Sequence, residues 1–274
     1  MRVGTVERLR RHPVKSMLGE ELREASVTER GIRGDRAYAL LDVDTGRVVS
    51  AKHPRLWAGV LGFTARTGTG GEVVVTGPDG AVVDERGLSE RLGRKVRLVD
   101  EPPPGASVER SVPEEVLEHG PRAEVGFTVS ELGRGAPPGT FLDFAPLHLL
   151  TTAALAAAGG AGAGGAAAER YRPNVVVRTP DAVAGFVENG WVEGELAIGA
   201  RVRLRVVTAT PRCAVPTLAH GPGVPRSAAA LRTLAERNRL VPLPGMPALP
   251  CVGVYARVLA PGRVAVGDPV VLVR

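Results

Sequence analysis

Short apolar runs, many with β-branched residues at alternating positions, recur along this chain, and each is soon broken by glycine, proline or an Asp-Gly pair. With 35 glycines and 23 prolines acting as breakers, the chain has little room for long helices and much for short antiparallel strands. The segments VGTVERLRRHPV, LREASVTE, AYALLDVDTGRVVS and EVVVTGPDGAVVDE read as strands. Within them, VDTGRVV and VTGPDGAVV predict hairpins, because Asp/Gly turns join two apolar runs. Strand character returns in YRPNVVVRT, VENGWVEGELAIGARVRLRVVTATPRC and CVGVYARVLAPGRVAVGDPVVLVR. The tail VLAPGRVAVGDPVVLV reads as a closing hairpin with Gly262 and Asp268 at turns. APLHLLTTAALAAA carries Leu, Ala and Thr at helical spacing and predicts a helix, as does the charged amphipathic LRTLAERNRL. The expected fold is mixed α/β but β-dominated, of barrel type with a few helices, and not a doubly wound sheet.

A length of 274 residues suits one large domain or two closely joined ones. Hydrophobic residues make up 44% of the chain, enough to fill a core and to exclude a disordered protein. Aromatics are only 4%, so Val, Leu and Ala must fill that core. The proline stop in LVDEPPP opens a polar stretch, which divides the chain into residues 1–100, a surface-crossing connection at 101–125, and residues 126–274. The net charge of +6 is carried almost wholly by scattered arginine; Lys15, Lys52 and Lys95 are the lysines. Without a cationic run, and with few aromatics to stack bases, the charge suits a small anion and argues against a nucleic-acid partner. The opening MRVGTVERLRRHPVKS has no apolar signal core, and no apolar run approaches the ~20 residues of a membrane helix. Cys213 and Cys251 lie far apart without metal-finger spacing. The expectation is a reduced, cytoplasmic protein without a disulfide and without a membrane partner.

One motif misleads. Gly160, Gly162 and Gly165 fit G-x-G-x-x-G, with Asp181 near the spacing of a ribose-binding acid. That fingerprint needs a strand leading into the glycines and a helix after them. Here a helical pattern precedes them in an Ala/Gly low-complexity run, GGAGAGGAAAER, which reads as a loop or short helix start, so dinucleotide binding is rejected.

The chemistry centres on Cys213, in TATPRCAVPT, straight after the strand RVRLRVV and between two prolines. A cysteine on a proline-bent strand end is placed to face a pocket, and Arg212 beside it would stabilise a thiolate if its side chain turns the same way. Thiolate is a soft ligand for a high-valent metal, although a lone cytosolic thiol is more commonly buried and inert. Other segments supply polar groups at strand ends: Lys15 and Ser16 in HPVKS, Arg36 in GDRAY, and Arg172 and Asn174 in YRPNVVV. Each alone reads as a solvated surface residue. Together they match what an anionic pterin phosphate and its amide-rich ring require, namely charge-assisted donors and a bidentate amide.

In order, HPVKSMLGEELREASVTERGIRGDRAYALLD, DFAPLHLLTTAAL, YRPNVVV, PRCAVPT and GVYARVLAPGRVAVGDPVVLV resemble the MOSC-domain proteins with an N-terminal MOSC β-barrel module. Within them they are similar to the mitochondrial amidoxime-reducing component and its bacterial relatives. The resemblance implies an N-terminal MOSC β-barrel module followed by a MOSC β-barrel domain. It implies a molybdenum cofactor (Mo-molybdopterin) with Cys213 as metal ligand and catalytic residue. It implies that Lys15, Ser16, Arg36, Arg172, Asn174 and Arg212 hold the cofactor, with Asp143 at the position of a family acid near the pterin. The implied activity is oxygen removal from N-hydroxylated small molecules. Pyridoxal phosphate binding is a further family expectation. The Ala/Gly run and Pro211, where some relatives carry a hydroxyl, depart from the family pattern. The sequence ends at Arg274 without an iron–sulfur module, so electrons are expected from a separate donor of ferredoxin, flavoprotein or cytochrome b5 type. Two other readings stay open at this point: reduction of another oxo-substrate, and a carrier that delivers sulfur or cofactor through Cys213. His148 and His220 are candidates for a general acid; Cys251 reads as core.

Overall fold

The computed structural model describes residues 1–133, 135–160 and 164–273. Seven strands close into a barrel, in the order Leu147–Thr151, Val175–Arg178, Arg2–Arg11, Pro269–Val273, Glu195–Ile198, Val202–Pro211, Leu249–Ala260, and back to Leu147–Thr151. Only the Leu147–Thr151/Val175–Arg178 pair is parallel; every other pairing in the ring is antiparallel. Closure removes sheet edges, and the interior is filled by inward residues such as Leu9, Leu149, Val177, Leu196, Leu204 and Val254. The chain is thus the β-rich mixed fold expected, with short helices outside the barrel. Its first strand, Arg2–Arg11, pairs with Pro269–Val273 and Val175–Arg178, so segments from opposite ends of the sequence share one sheet.

From the end of Arg2–Arg11, the segment Pro13–Leu18 leaves the barrel and forms parallel bridges at Val14–Tyr38 and Leu18–Thr64. There it joins a second body built on Met17, Leu40, Trp57, Phe63, Val75 and Leu88. Two strand pairs (Ala39–Asp42 with Val96–Val99, and Thr64–Thr67 with Val73–Thr76) support this core. The helix Glu85–Leu92 closes it, begun by an Asp84 side-chain cap and ended by left-handed Gly93. The expected VDTGRVV and VTGPDGAVV turns are present as single antiparallel bridges, Leu41–Val48 and Thr76–Val82. The polar connection is more ordered than its composition suggests: Ser107–Ser111 pairs with Phe127–Glu131, and the helix Pro113–His119 lies between them.

Two sequence expectations need correction. The helix expected over APLHLLTTAALAAA begins as the strand Leu147–Thr151, buried at every position, and turns helical only at Thr152. A wholly apolar run has no informative period, and here neighbours on both sides claim its backbone. The tail is not one hairpin: Gly262–Ala265 pairs with Glu24–Thr28, while Pro269–Val273 enters the barrel. Gly262 lies within a strand; the turn is made at Gly267, with Asp268 accepting from the Ala265 amide. Gly162 of the rejected glycine motif lies outside the described residues. Gly165 falls in the helix Gly164–Tyr171, which leads into the strand Val175–Arg178.

Candidate functional site

At one end of the barrel, strand termini open onto a cavity of about 780 Å³. Lys15 and Ser16 follow the strand Arg2–Arg11, while Arg172 and Asn174 precede Val175–Arg178. Pro211, Arg212 and Cys213 end or follow Val202–Pro211, and His148 stands near the start of Leu147–Thr151. The second body contributes Lys52, the 107–131 hairpin contributes Arg110, and the segment before Leu147 contributes Asp143. Every residue expected to hold the cofactor or metal, with Arg36 among them, therefore lines one cavity although they are spread over some two hundred positions of sequence.

The charges fall into two groups. In the first, Lys15 and Lys52 both place Nζ at 2.8 Å from Asp143 Oδ1, and Lys15 also donates to the Phe141 carbonyl at 3.0 Å. Burial lowers the Lys15 ammonium to about 8 despite its carboxylate partner. Burial alone would raise the Asp143 carboxyl, but Lys15, Lys52 and Arg110 outweigh it and hold the group well below the usual carboxylate range.

The second group is organised by Asp35, a buried acid that the sequence reading passed over. One carboxylate oxygen accepts the His12 backbone N–H at 2.7 Å. The other accepts from Asn174 Nδ2 at 3.0 Å and from the Arg36 guanidinium. Asn174 is 1% exposed: its amide also donates to the Arg10 carbonyl and accepts from the His148 N–H at 3.1 Å. Its side chain thus joins three strand ends while the residue lines the cavity. Arg36 donates onward to the Arg172 carbonyl at 3.3 Å.

Arg172 itself is unsatisfied. Both terminal guanidinium nitrogens are buried without a hydrogen-bond partner among the described residues, and burial together with Arg36 pulls the group down to about 9, still charged at neutral pH. Leaving buried guanidinium nitrogens without hydrogen-bond partners costs about 1–3 kcal/mol, which the more distant charges of Asp35 and Asp143 only partly offset, so an anion here would be stabilised. Backbone strain collects at the same place. Ser16, Arg36 and Arg172 adopt left-handed φ values of 67°, 47° and 55°, and all three line the cavity.

Cys213 is a free thiol of intermediate exposure, packed beside Ala51, Leu61 and Val215. Arg212 reaches the cavity, but its guanidinium donates to the Tyr171 carbonyl at 3.0 Å and lies 5.4 Å from that ring's centroid. It is held by the helix end that precedes Arg172. Tyr255, also missed, faces the cavity with its ring 5.5 Å from Phe144 and 5.7 Å from His148. Burial pushes its hydroxyl up to about 12. Of the two histidines, His148 lines the cavity but is kept neutral by burial and by Arg212. His220 is buried near Leu218, away from the lining, and burial drops it to about 3, so it is not placed as a general acid. Cys251 is core, as expected.

Comparison with known proteins follows the same outline. The model of the MOSC domain matches residues 138–271, and that of the MOSC N-terminal beta barrel domain matches residues 3–88. The human mitochondrial amidoxime-reducing component 1 is 27% identical over an alignment covering 98% of this chain and 83% of that protein. The human mitochondrial amidoxime reducing component 2 gives the same identity and coverage. Among solved structures, the YUAD protein from Bacillus subtilis aligns with a TM-score of 0.43 and 11% identity, over 98% of this chain and 94% of that one. The pyridoxal phosphate expectation finds no support in these matches. Among the described residues, no helix is long and apolar enough to cross a membrane.

Proposed function

The chain belongs to the MOSC-domain family, and from that membership we propose that it is a molybdenum-cofactor-dependent reductase of N-hydroxylated compounds. One observation carries the reading: strand ends bring a free thiol and a cationic wall to one cavity, and the terminal nitrogens of an arginine in that wall have no hydrogen-bond partner among the described residues. The fit to a pterin phosphate rests on that arginine. The Arg172 nitrogens need an anion, and Ser16, Arg36 and Lys15 beside the same cavity are donors suited to phosphate oxygens. Cys213 would ligate the metal as thiolate, a soft donor suited to it. Asp35 positions Arg36 and is itself held by Asn174, while Asp143 keeps Lys15 and Lys52 converged.

When bound, the cofactor would supply the two-electron reduction that removes the oxygen of an N–OH group. The balance is R2N–OH plus two electrons and two protons to R2NH plus water, with electrons from a separate donor protein of ferredoxin, flavoprotein or cytochrome b5 type. Tyr255 lines the cavity and keeps its proton at neutral pH, so its hydroxyl would serve as a donor to a bound group rather than as a base. The human relatives named for amidoxime reduction support this choice of substrate head group.

The test is metal and pterin content of protein from a molybdenum-competent host, native against Cys213→Ser, followed by amidoxime turnover with a chemical reductant. Near-stoichiometric molybdenum and pterin, lost or electronically altered in the variant, with turnover in the native protein, is the expected result. Folded native protein holding neither would overturn the reading and favour a sulfur carrier acting through Cys213.

A further inference from the structure

The helix Gly164–Tyr171 ends one residue before Arg172, and its last two residues both reach the neighbourhood of Cys213. Arg170, unlike Tyr171 and Arg172, does not line the cavity. Its guanidinium turns to the loop that follows Cys213. There Nη1 donates to the carbonyls of Pro216 at 3.2 Å and Leu218 at 3.3 Å, and Nη2 donates to that of Pro225. These bonds are charge-assisted and stronger than neutral ones, and a planar fork is suited to holding carbonyls on both limbs of one loop. The loop also closes on itself, through His220 to Val224 at 2.8 Å and Ser227 to Thr217 at 2.9 Å. Its internal fold therefore does not need Arg170; what the guanidinium adds is a fixed position against the helix.

That position reaches Cys213 through a short, stiff turn. The Thr217 N–H and hydroxyl both donate to the Ala214 carbonyl, at 2.9 Å and 2.7 Å, and the Leu218 N–H donates to Val215 at 3.0 Å. Cys213 stands directly before this turn. On its other side, Arg212 donates to the Tyr171 carbonyl at 3.0 Å. Tyr171 is itself pinned, its hydroxyl donating to the Ala230 carbonyl at 2.9 Å. The helix end thus holds the chain on both sides of the thiol. The residue that follows it carries the guanidinium nitrogens without a hydrogen-bond partner among the described residues.

We propose that Arg170 is a positioning residue that couples the anion corner at Arg172 to the turn beside Cys213, so that an anion held there also fixes the thiol. This coupling rests on reading Arg172 as an anion-holding group, as the proposed function does. An anion paired with Arg172 restricts residues 170–172, and the Arg170 fork passes that restriction on, so the turn is already ordered when a metal meets the thiol. Without the fork, anion and thiol would be held by independent pieces of chain.

The test is amide hydrogen exchange of the whole cofactor-free chain, with and without saturating pyrophosphate. The amides of Thr217 and Leu218 are the reporters. Both residues are buried and lie outside the cavity lining, so a ligand in the cavity does not cover them directly. Pyrophosphate is expected to slow their exchange by about fivefold or more in the native protein, and by less than about twofold in Arg170→Gln. By reciprocity the variant should bind pyrophosphate about fivefold more weakly, while its Tm still rises at saturation. No slowing in the native protein, or native slowing in the variant, would overturn the coupling. Should Arg170→Gln fail to fold, Arg170→Lys replaces it. A point charge in place of the fork should keep less than about half of the slowing, and full slowing would overturn the coupling equally. Native protein that binds molybdenum and pterin yet shows no slowing loses the coupling and keeps the reductase reading. Slowing in a protein that holds neither keeps the coupling and removes the reductase reading.

Discussion

Glu188 offers a direct measure of how dry the barrel is beside the site. It is fully buried, and its carboxylate accepts from the Thr151 hydroxyl at 2.7 Å and the Gly253 N–H at 3.1 Å. Burial raises the group from 4.5 to about 7, more than those two donors can offset. Below pH 4.5 the carboxyl is protonated in both folded and unfolded chains and costs nothing. Between 4.5 and about 7 the unfolded chain releases its proton while the folded one keeps it, so stability falls as pH rises. At 1.36 kcal/mol per pH unit over roughly 2.5 units, the loss reaches about 3 kcal/mol above pH 7. Glu188→Gln preserves the shape and one acceptor but cannot ionise. Urea denaturation of the cofactor-free protein from pH 4 to 8 is expected to give equal stabilities for native and variant at the acid end. The variant should then gain an advantage that grows to about 3 kcal/mol by pH 8. Parallel curves would refute the reasoning, because they would mean the carboxylate is charged at no cost in a site that admits water or a hidden cation.

Further outcomes follow from other contacts. A Cβ on Gly253 would stand 2.5 Å from the Leu149 carbonyl oxygen and from His148 Nε2, and its φ is +76°. Gly253→Ala should therefore lower the urea midpoint by the equivalent of about 3 kcal/mol or more with the slope unchanged. Asp143→Asn would leave buried Lys15 facing Lys52 without their shared anion. A loss of about 2 kcal/mol at pH 7 is expected, moderated by the opening of Asp143 to the cavity. Since the folded Lys15 ammonium already lies below its ordinary value, the deficit should shrink as pH rises towards 9.5, which denaturation at both pH values would check.

The barrel and the site were legible in the sequence to different depths. Strand content could be read because turn residues and β-branched alternation act locally, within each run. The fate of LHLLT could not, since nothing inside five buried residues distinguishes a helix from a strand claimed by two neighbours. Nor could the partners of Gly262–Ala265 and Pro269–Val273, because register is decided between distant segments. At the site, Cys213, Arg36 and Arg172 were visible by residue type and by position at strand ends. Asp35 was hidden beside Arg36 in GDRAY, its only signal being an acid next to a candidate cation. Arg110 lay at the edge of a stretch that composition made look like a surface crossing, although Val108 two residues earlier anchors it in a buried core. Tyr255 was one of three tyrosines in an aromatic-poor chain, a scarcity that makes each one worth placing.

If Arg172 holds an anion, as proposed, the site trades stability for binding. Its left-handed backbone costs about 1 kcal/mol, and its buried, unpartnered guanidinium costs about 1–3 kcal/mol more. The surrounding structure enforces both. The Arg172 N–H is fixed to the Ala168 carbonyl at 3.1 Å, and its own carbonyl is held by Arg36. Arg172→Met keeps the bulk and the backbone conformation but removes the charge, so the cofactor-free variant should be more stable than the native protein by about 1–3 kcal/mol. Adding pyrophosphate as an anion probe should reverse the order, raising the Tm of the native protein and leaving that of the variant nearly unchanged, because only a ligand that binds the folded form of the native cavity gains from the charge. A variant less stable than the native protein without any anion would mean that the guanidinium is already satisfied, and the argument that this corner awaits a phosphate would fail with it.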